Sequence, residues 1–351
     1  MKRLVVGLAT LCLAAAPPLY AAPSVPAPPA RFQASFDPVG PAVEALAVPG
    51  GRTVHYADTG EKGWRPVLYI GGTGTSARSF LMTGYLETLR RQLHLRLITV
   101  ERNGFGDTPY DPAWGFTDYV GEVKAVLDHL GVERFAMLAI SGGGPYAAHI
   151  AAALPDRLIS VHMAAAAANV RGKDDGACAL GIAGLAATDG IKAVQNPQAW
   201  WAMPVTSPTR RIPGFADRSY DEGARAFFIR GQMGDPTPEA AEMHRYCAKT
   251  LPDLSHVTAP LFTYYGGADT LVIPANGAYW RAHFGGAKTG RDYPGEWHDV
   301  QYRHWDQVLI DMAGFGDRVL VCAGGKGGLV APAAVPALVA KGATIGLCAW
   351  R

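Results

Sequence analysis

Metal-binding patterns are missing from this sequence. It contains no His-Glu-x-x-His or comparable ligand cluster, and none of its five cysteines stands in a Cys-x-x-Cys pair, so no metal site is expected. Charge is sparse and balanced: 32 Lys and Arg face 30 Asp and Glu across 351 residues. Without a basic run or basic–aromatic interleaving, a nucleic-acid partner is not expected either. Long apolar runs are lacking beyond the start of the chain, where Met1-Lys-Arg3 precedes Leu4–Ala16 and a small-residue motif, Leu19-Tyr-Ala21. That pattern reads as a signal peptide over residues 1–21, with export to the periplasm or medium. The run is too short to span a bilayer comfortably, so no stable membrane insertion is expected after cleavage. Cys12 does not read as a lipoprotein cysteine, because Ala9-Thr-Leu11 is a poor lipobox.

What is present is a large apolar fraction, 49% of residues, enough to bury a sizeable core. Residues 22–42 are rich in Pro and Ala and read as a tether. From about residue 43, short buried strands alternate with amphipathic helices, the pattern of a parallel sheet covered on both faces. Phe135-Ala-Met-Leu-Ala-Ile140 is one such strand; it stops at Ser141-Gly-Gly-Gly-Pro145, and a helix follows with Pro in its first turn. A serine on so sharp a turn is lifted clear of the sheet, and only small neighbours permit that turn. The following helix start offers free N–H groups to a developing anion. The blander alternative is a glycine-rich βα turn whose Ser caps the helix.

The turn resembles the Gly-x-Ser-x-Gly nucleophile elbow of the α/β-hydrolase family, with Ala139 in place of the first glycine. Four further stretches resemble that family over about residues 43–315. Gly71-Gly-Thr73 stands where its oxyanion loop does, with Gly71 replacing the usual His. Glu101-Arg-Asn-Gly-Phe-Gly106-Asp-Thr108 is similar to its Arg-x-Gly-x-Gly-x-Ser turn. Gly266-Gly-Ala-Asp269 and Gly295-Glu-Trp-His298 resemble its acid and histidine turns, in the chain order Ser, Asp, His.

The resemblance implies an α/β fold with a doubly wound, mostly parallel sheet and an inserted helical cap. The core would comprise residues 43–168 and 258–315 and the cap residues 169–257. It also implies a cofactor-free serine hydrolase acting on a small-molecule carboxylic ester or lactone. Ser141 would be the nucleophile, His298 the base, Asp269 its orienter, and the Thr73 and Gly142 amides the oxyanion hole. His298 is preferred to His304, six residues on, because a loop position gives it reach and the first turn of the final helix would not. Trp200, Trp201, Met203, Phe227 and Trp297 are candidate substrate-binding residues.

Other Ser-triad chemistry of the same fold, perhydrolysis or C–C cleavage, stays open. A non-catalytic binding module would normally break the triad. A nucleotide-binding oxidoreductase is a weaker alternative, resting on Gly72-x-Gly74-x-x-Ala77 with Glu101 after the next strand. Residues 316–351 form a Gly- and Ala-rich extension that reads either as strand, helix and strand at a sheet edge or as poorly ordered chain. Four cysteines follow the signal peptide. Cys178 and Cys247 share the cap segment and Cys322 and Cys348 share the extension, which predicts local pairs, with free buried thiols as the alternative.

Overall fold

Every residue of Phe135–Ile140 is buried, and a strand buried on both faces must be flanked by strands and covered from above and below. In the computed structural model, which describes residues 41–84, 86–168, 176–188, 235–247 and 251–348, this strand (β5) lies at the centre of an eight-stranded sheet. It pairs in parallel with β3 (Arg65–Ile70) and β6 (Leu158–Ala164). Further out, β4 (Leu95–Val100), β7 (Leu261–Gly266) and β8 (Lys288–Tyr293) continue the parallel arrangement. Only β2 (Thr53–Asp58) and β1 (Val43–Ala47) run antiparallel, giving the order β1-β2-β4-β3-β5-β6-β7-β8.

Side chains of a strand alternate between faces, and β5 divides its residues accordingly. Phe135, Met137 and Ala139 join a core shared with helices Phe116–His129, Gly144–Ala153 and Ala275–His283. Ala136, Leu138 and Ile140 join a second core under helices Glu87–Gln92 and Trp305–Ile310. The expected doubly wound α/β architecture is therefore present.

Some boundaries differ from the sequence reading. The helix expected from Ser79 to Gln92 is a 3-10 segment, Ala77–Thr83, followed by Glu87–Gln92. Gly84 lies between them, and glycine is a poor helix former. The final helix is divided into Val300–Arg303 and Trp305–Ile310, with a wide turn over Asp311–Phe315 in which Gly314 has φ of 101°.

Within 169–257, helices Gly181–Ala186 and Thr237–Arg245 pack through Leu185 and Ala240. Cys178 and Cys247 are joined by a disulfide beside this contact. The helix expected over Tyr220–Gln232 lies outside the described residues, as do the signal peptide and most of the tether.

The C-terminal extension is structured through residue 348, but it does not lengthen the main sheet. It forms its own three-stranded antiparallel sheet, β10 (Lys326–Val330), β9 (Val319–Ala323) and β11 (Thr344–Ile345). The unanticipated β10 carries Gly327 and Gly328, which weaken its signal as a strand. Its hairpin turns at Gly324 and Gly325, both with positive φ, as a two-residue hairpin requires. Gln307 fastens this sheet to the core: its Oε1 accepts from Leu320 N (3.0 Å) and its Nε2 donates to Arg318 O (3.1 Å) and Asp311 Oδ1 (2.8 Å). Asp306, fully buried, accepts from Leu347 N; burial raises its pKa to about 7. Leu320 and Leu347 fill the second core.

A disulfide closes Cys322 to Cys348 across 26 residues. Cross-linking a loop of that length removes denatured-state entropy worth about 3.5 kcal/mol. The double variant Cys322→Ala, Cys348→Ala should therefore show a lower thermal midpoint than the parent. An unchanged midpoint under oxidising conditions would mean the tail is held by its hydrogen bonds and apolar contacts alone.

Candidate active site

At the end of β5 the backbone reverses into helix Gly144–Ala153, and Ser141 takes φ of 48°. That left-handed conformation is costly for a residue with a Cβ and persists only where its surroundings enforce it. Here the enforcement is close backbone packing. A Cβ on Gly142 would fall onto Thr73 Oγ1 and lie 2.9 Å from Thr73 N, and one on Gly144 would fall onto Ala167 O. Ala167 N also donates to Ser141 O (2.7 Å).

Two other turns converge on this serine. Asp269 follows β7 and is buried; its Oδ1 accepts from Leu271 N (2.8 Å) and Val272 N (2.9 Å). Its Oδ2 lies 2.7 Å from His298 Nδ1, and His298 Nε2 lies 3.0 Å from Ser141 Oγ. An ionised carboxylate can only accept, so Nδ1 carries the proton and Nε2 is left to accept from the serine hydroxyl. The acid and histidine turns touch backbone to backbone: Ala268 N donates to Glu296 O (2.8 Å) and Gly267 N to Tyr293 O (2.9 Å). Any Cβ on Gly266 would strike Glu296 O.

His304 stands between the two final helices; its ring stacks on Tyr293 at 3.6 Å and its Nε2 meets Glu296 Oε2 at 2.8 Å. Trp297, beside His298, is 45% exposed and donates from Nε1 to Thr270 Oγ1 (3.1 Å). Trp200, Trp201, Met203 and Phe227 lie outside the described residues.

Thr73 sits on the loop after β3, with its amide facing Gly142. Two buried side chains, themselves paired, hold this loop. Arg102 donates to Gly71 O (3.2 Å), Gly72 O (2.5 Å) and Thr75 O (3.0 Å). Glu242, on helix Thr237–Arg245, accepts from Gly74 N (2.7 Å) and pairs with Arg102 at 2.9 Å. Burial works to lower the Arg102 pKa, but the Glu242 carboxylate and nearby phenols carry it above its ordinary value.

The dinucleotide reading of this loop fits poorly. The amide of Gly74 is taken by Glu242, and that of Ala77 by Glu101 Oε1 (2.7 Å). Glu101 thus ties the loop internally. Among the described residues no group of three His, Cys, Asp or Glu could hold a metal ion. Glu242 was invisible to sequence reasoning, being 168 residues from the amide it binds; Arg102 at least stood within the turn singled out at 101–108.

No family model matches the chain. Over 145 residues it is 28% identical to the dihydrolipoyllysine-residue acetyltransferase component of an acetoin cleaving system from Pseudomonas putida, covering 39% of this chain and 38% of that protein. The chain spans about two-fifths of the length of the curated relatives it matches. Solved structures align far more fully. A hydrolase from Pseudomonas aeruginosa superposes with a TM-score of 0.60 at 18% identity, covering 78% of this chain and 98% of that one. An enol-lactonase from Burkholderia xenovorans gives 0.57 at 19% identity (77% and 99% covered), and an esterase from Exiguobacterium antarcticum 0.58 at 14% (77% and 98%). The chain has the α/β-hydrolase fold.

Within it lies a second serine–histidine pair, linked to an acid only through a tyrosine, and burial separates the two. Ser160 Oγ lies 2.8 Å from His162 Nε2, His162 Nδ1 lies 3.0 Å from Tyr264 Oη, and Tyr264 donates to Asp311 Oδ2 (2.8 Å). His162 is fully buried; burial, with Arg65 and Arg291 nearby, pulls its pKa down to about 3 and keeps it neutral. Ser160 is itself buried at 5% exposure, so this chain braces the α/β-hydrolase sheet from within. A fluorophosphonate should accordingly label Ser141 and leave Ser160 untouched, as read by peptide mass mapping. Adduct on Ser160 would reverse the assignment.

Proposed function

We propose that this protein is an exported serine hydrolase that cleaves a small carboxylic ester or lactone through an acyl-enzyme. The observation that carries the reading is the unbroken hydrogen-bonded chain Ser141 Oγ–His298 Nε2, Nδ1–Asp269 Oδ2, at 3.0 and 2.7 Å, mounted on a strained elbow. His298 removes the Ser141 proton as Oγ adds to the substrate carbonyl, and Asp269 holds the ring in the required tautomer and stabilises its protonated form. The Thr73 and Gly142 amides receive the oxyanion. Collapse of the tetrahedral species expels the alcohol, which takes its proton from His298 Nε2. Water then enters by the same route in reverse and releases the acid. Ester and lactone substrates are supported by the esterase and enol-lactonase among the structures of the same fold. Trp297, exposed beside His298, forms part of the substrate surface.

Export rests on the N-terminal segment and is supported by two disulfides, which persist in oxidising compartments. No described helix is long and apolar enough to cross a membrane.

The roles are tested with purified mature protein and p-nitrophenyl esters of graded acyl length. His298→Ala should lose several powers of ten in kcat, because triad members act as a unit. His304→Ala, which breaks only the contact with Glu296 and the stack on Tyr293, should stay within about tenfold of the parent. The opposite ranking on folded protein would overturn the choice of base.

A further inference from the structure

The loop that carries Thr73 closes one turn on itself, with Thr75 N and Oγ1 both donating to Gly72 O (3.3 and 2.7 Å), and takes its remaining support from elsewhere in the chain. Of its backbone groups, the carbonyls of Gly71, Gly72 and Thr75 are held by Arg102, and the amide of Gly74 by Glu242. Among the described residues, the Thr73 amide donates to none, and it faces Gly142. Arg102 and Glu242 are both almost fully buried and pair directly, so each fixes the other. One turn after Glu242 on the same segment, the buried Tyr246 places its Oη 3.5 Å from Thr73 Oγ1. Burial, reinforced by Glu242, raises the Tyr246 pKa well above its ordinary value, so its hydroxyl stays protonated. Cys247 comes next and is bonded to Cys178, and Arg245 donates to Trp114 O. Two contacts, on Gly74 and Thr73, thus run from one short segment to one short loop, and a third, on Arg102, reaches the same loop through that side chain.

We propose that Glu242 and Tyr246 are positioning residues for the oxyanion hole: the segment Thr237–Cys247 holds the Thr73 amide where the substrate oxygen becomes anionic. The proposal rests on the reading of Ser141 as nucleophile and adds to it a requirement from a helix remote in sequence. The physical reason is that hydrogen-bond donors stabilise a transition state only if they are already oriented when charge develops. A glycine-rich loop left to itself would sample many orientations. Ground-state binding depends little on this alignment, so its loss should appear in kcat and in affinity for tetrahedral analogues, with KM nearly unchanged.

The experiment compares the parent, Ser141→Ala, Glu242→Gln, Glu242→Asp and Tyr246→Phe, all as the full mature chain with disulfides intact. Readouts are kcat and KM on one p-nitrophenyl ester and the inhibition constant of an alkyl boronic acid. Glu242→Gln keeps an acceptor for Gly74 N but removes the charge facing Arg102. It should lower kcat by about tenfold to a hundredfold, weaken the boronic acid in parallel, and leave KM within about threefold. Glu242→Asp, which retains the charge, should recover part of kcat. Tyr246→Phe preserves the ring and removes only the hydroxyl, so it remains informative if the Glu242 variants fail to fold; a drop in kcat of a few-fold to tenfold is expected. Parental kcat and boronic acid affinity in folded Glu242→Gln, or in Tyr246→Phe should Glu242→Gln not fold, would overturn the inference. So would a loss confined to thermal stability or to KM. An inactive parent, or an active Ser141→Ala, would instead overturn the nucleophile reading and the inference with it.

Discussion

A single backbone constraint governs the site: Ser141 adopts a left-handed conformation, and the chain on either side must pack closely enough to keep it there. Gly142 and Gly144 admit Thr73 and Ala167 into the space their own Cβ atoms would occupy. The elbow is therefore built jointly by the ends of β5, β3 and β6, three adjacent parallel strands. Because the strain is local and the packing that opposes it is spread over the sheet, the serine can stand clear of the core without relaxing.

The second dependency is electrostatic. Burying the Arg102–Glu242 pair removes two charges from water, a cost that attraction alone repays only when the remaining donors and acceptors are also satisfied. Arg102 meets that condition by taking three carbonyls of the loop that begins at Gly71; Glu242 meets it in part, its Oε2 taking an amide of the same loop while its buried Oε1 has only the ion-pair contact with Arg102. A buried ion pair of this kind is weak evidence for net stability. Its value here is geometric, since it sets one loop relative to one helix. The C-terminal extension is attached by a comparable device, with Arg291, Gln307 and Asp311 forming one buried cluster that reaches the backbone of Gly316, Arg318 and Leu320.

Much of this was legible in the sequence because it depends on local signals. β5 shows as an unbroken apolar run, and the elbow shows as a serine followed by three glycines. The turns at 266–269 and 295–298 show as glycine-led loops after apolar strands. Those features come from backbone conformation and burial, which residue type reports directly. The sequence also grouped the cysteines into the two pairs that the structure joins.

Tertiary structure alone decided the rest. It made the extension a separate sheet, because the two glycines of β10 gave no strand signal and its partner β9 supplied the register. It distinguished Ser141–His298 from Ser160–His162, because burial is a property of the assembled layers and both pairs look alike as residue types. It placed Glu242 on the loop of Thr73, a contact across more than 160 residues that no periodicity or spacing encodes. Local sequence determines which conformation each short stretch can adopt. Which stretches then meet depends on how the whole chain satisfies its buried charges and backbone groups at once.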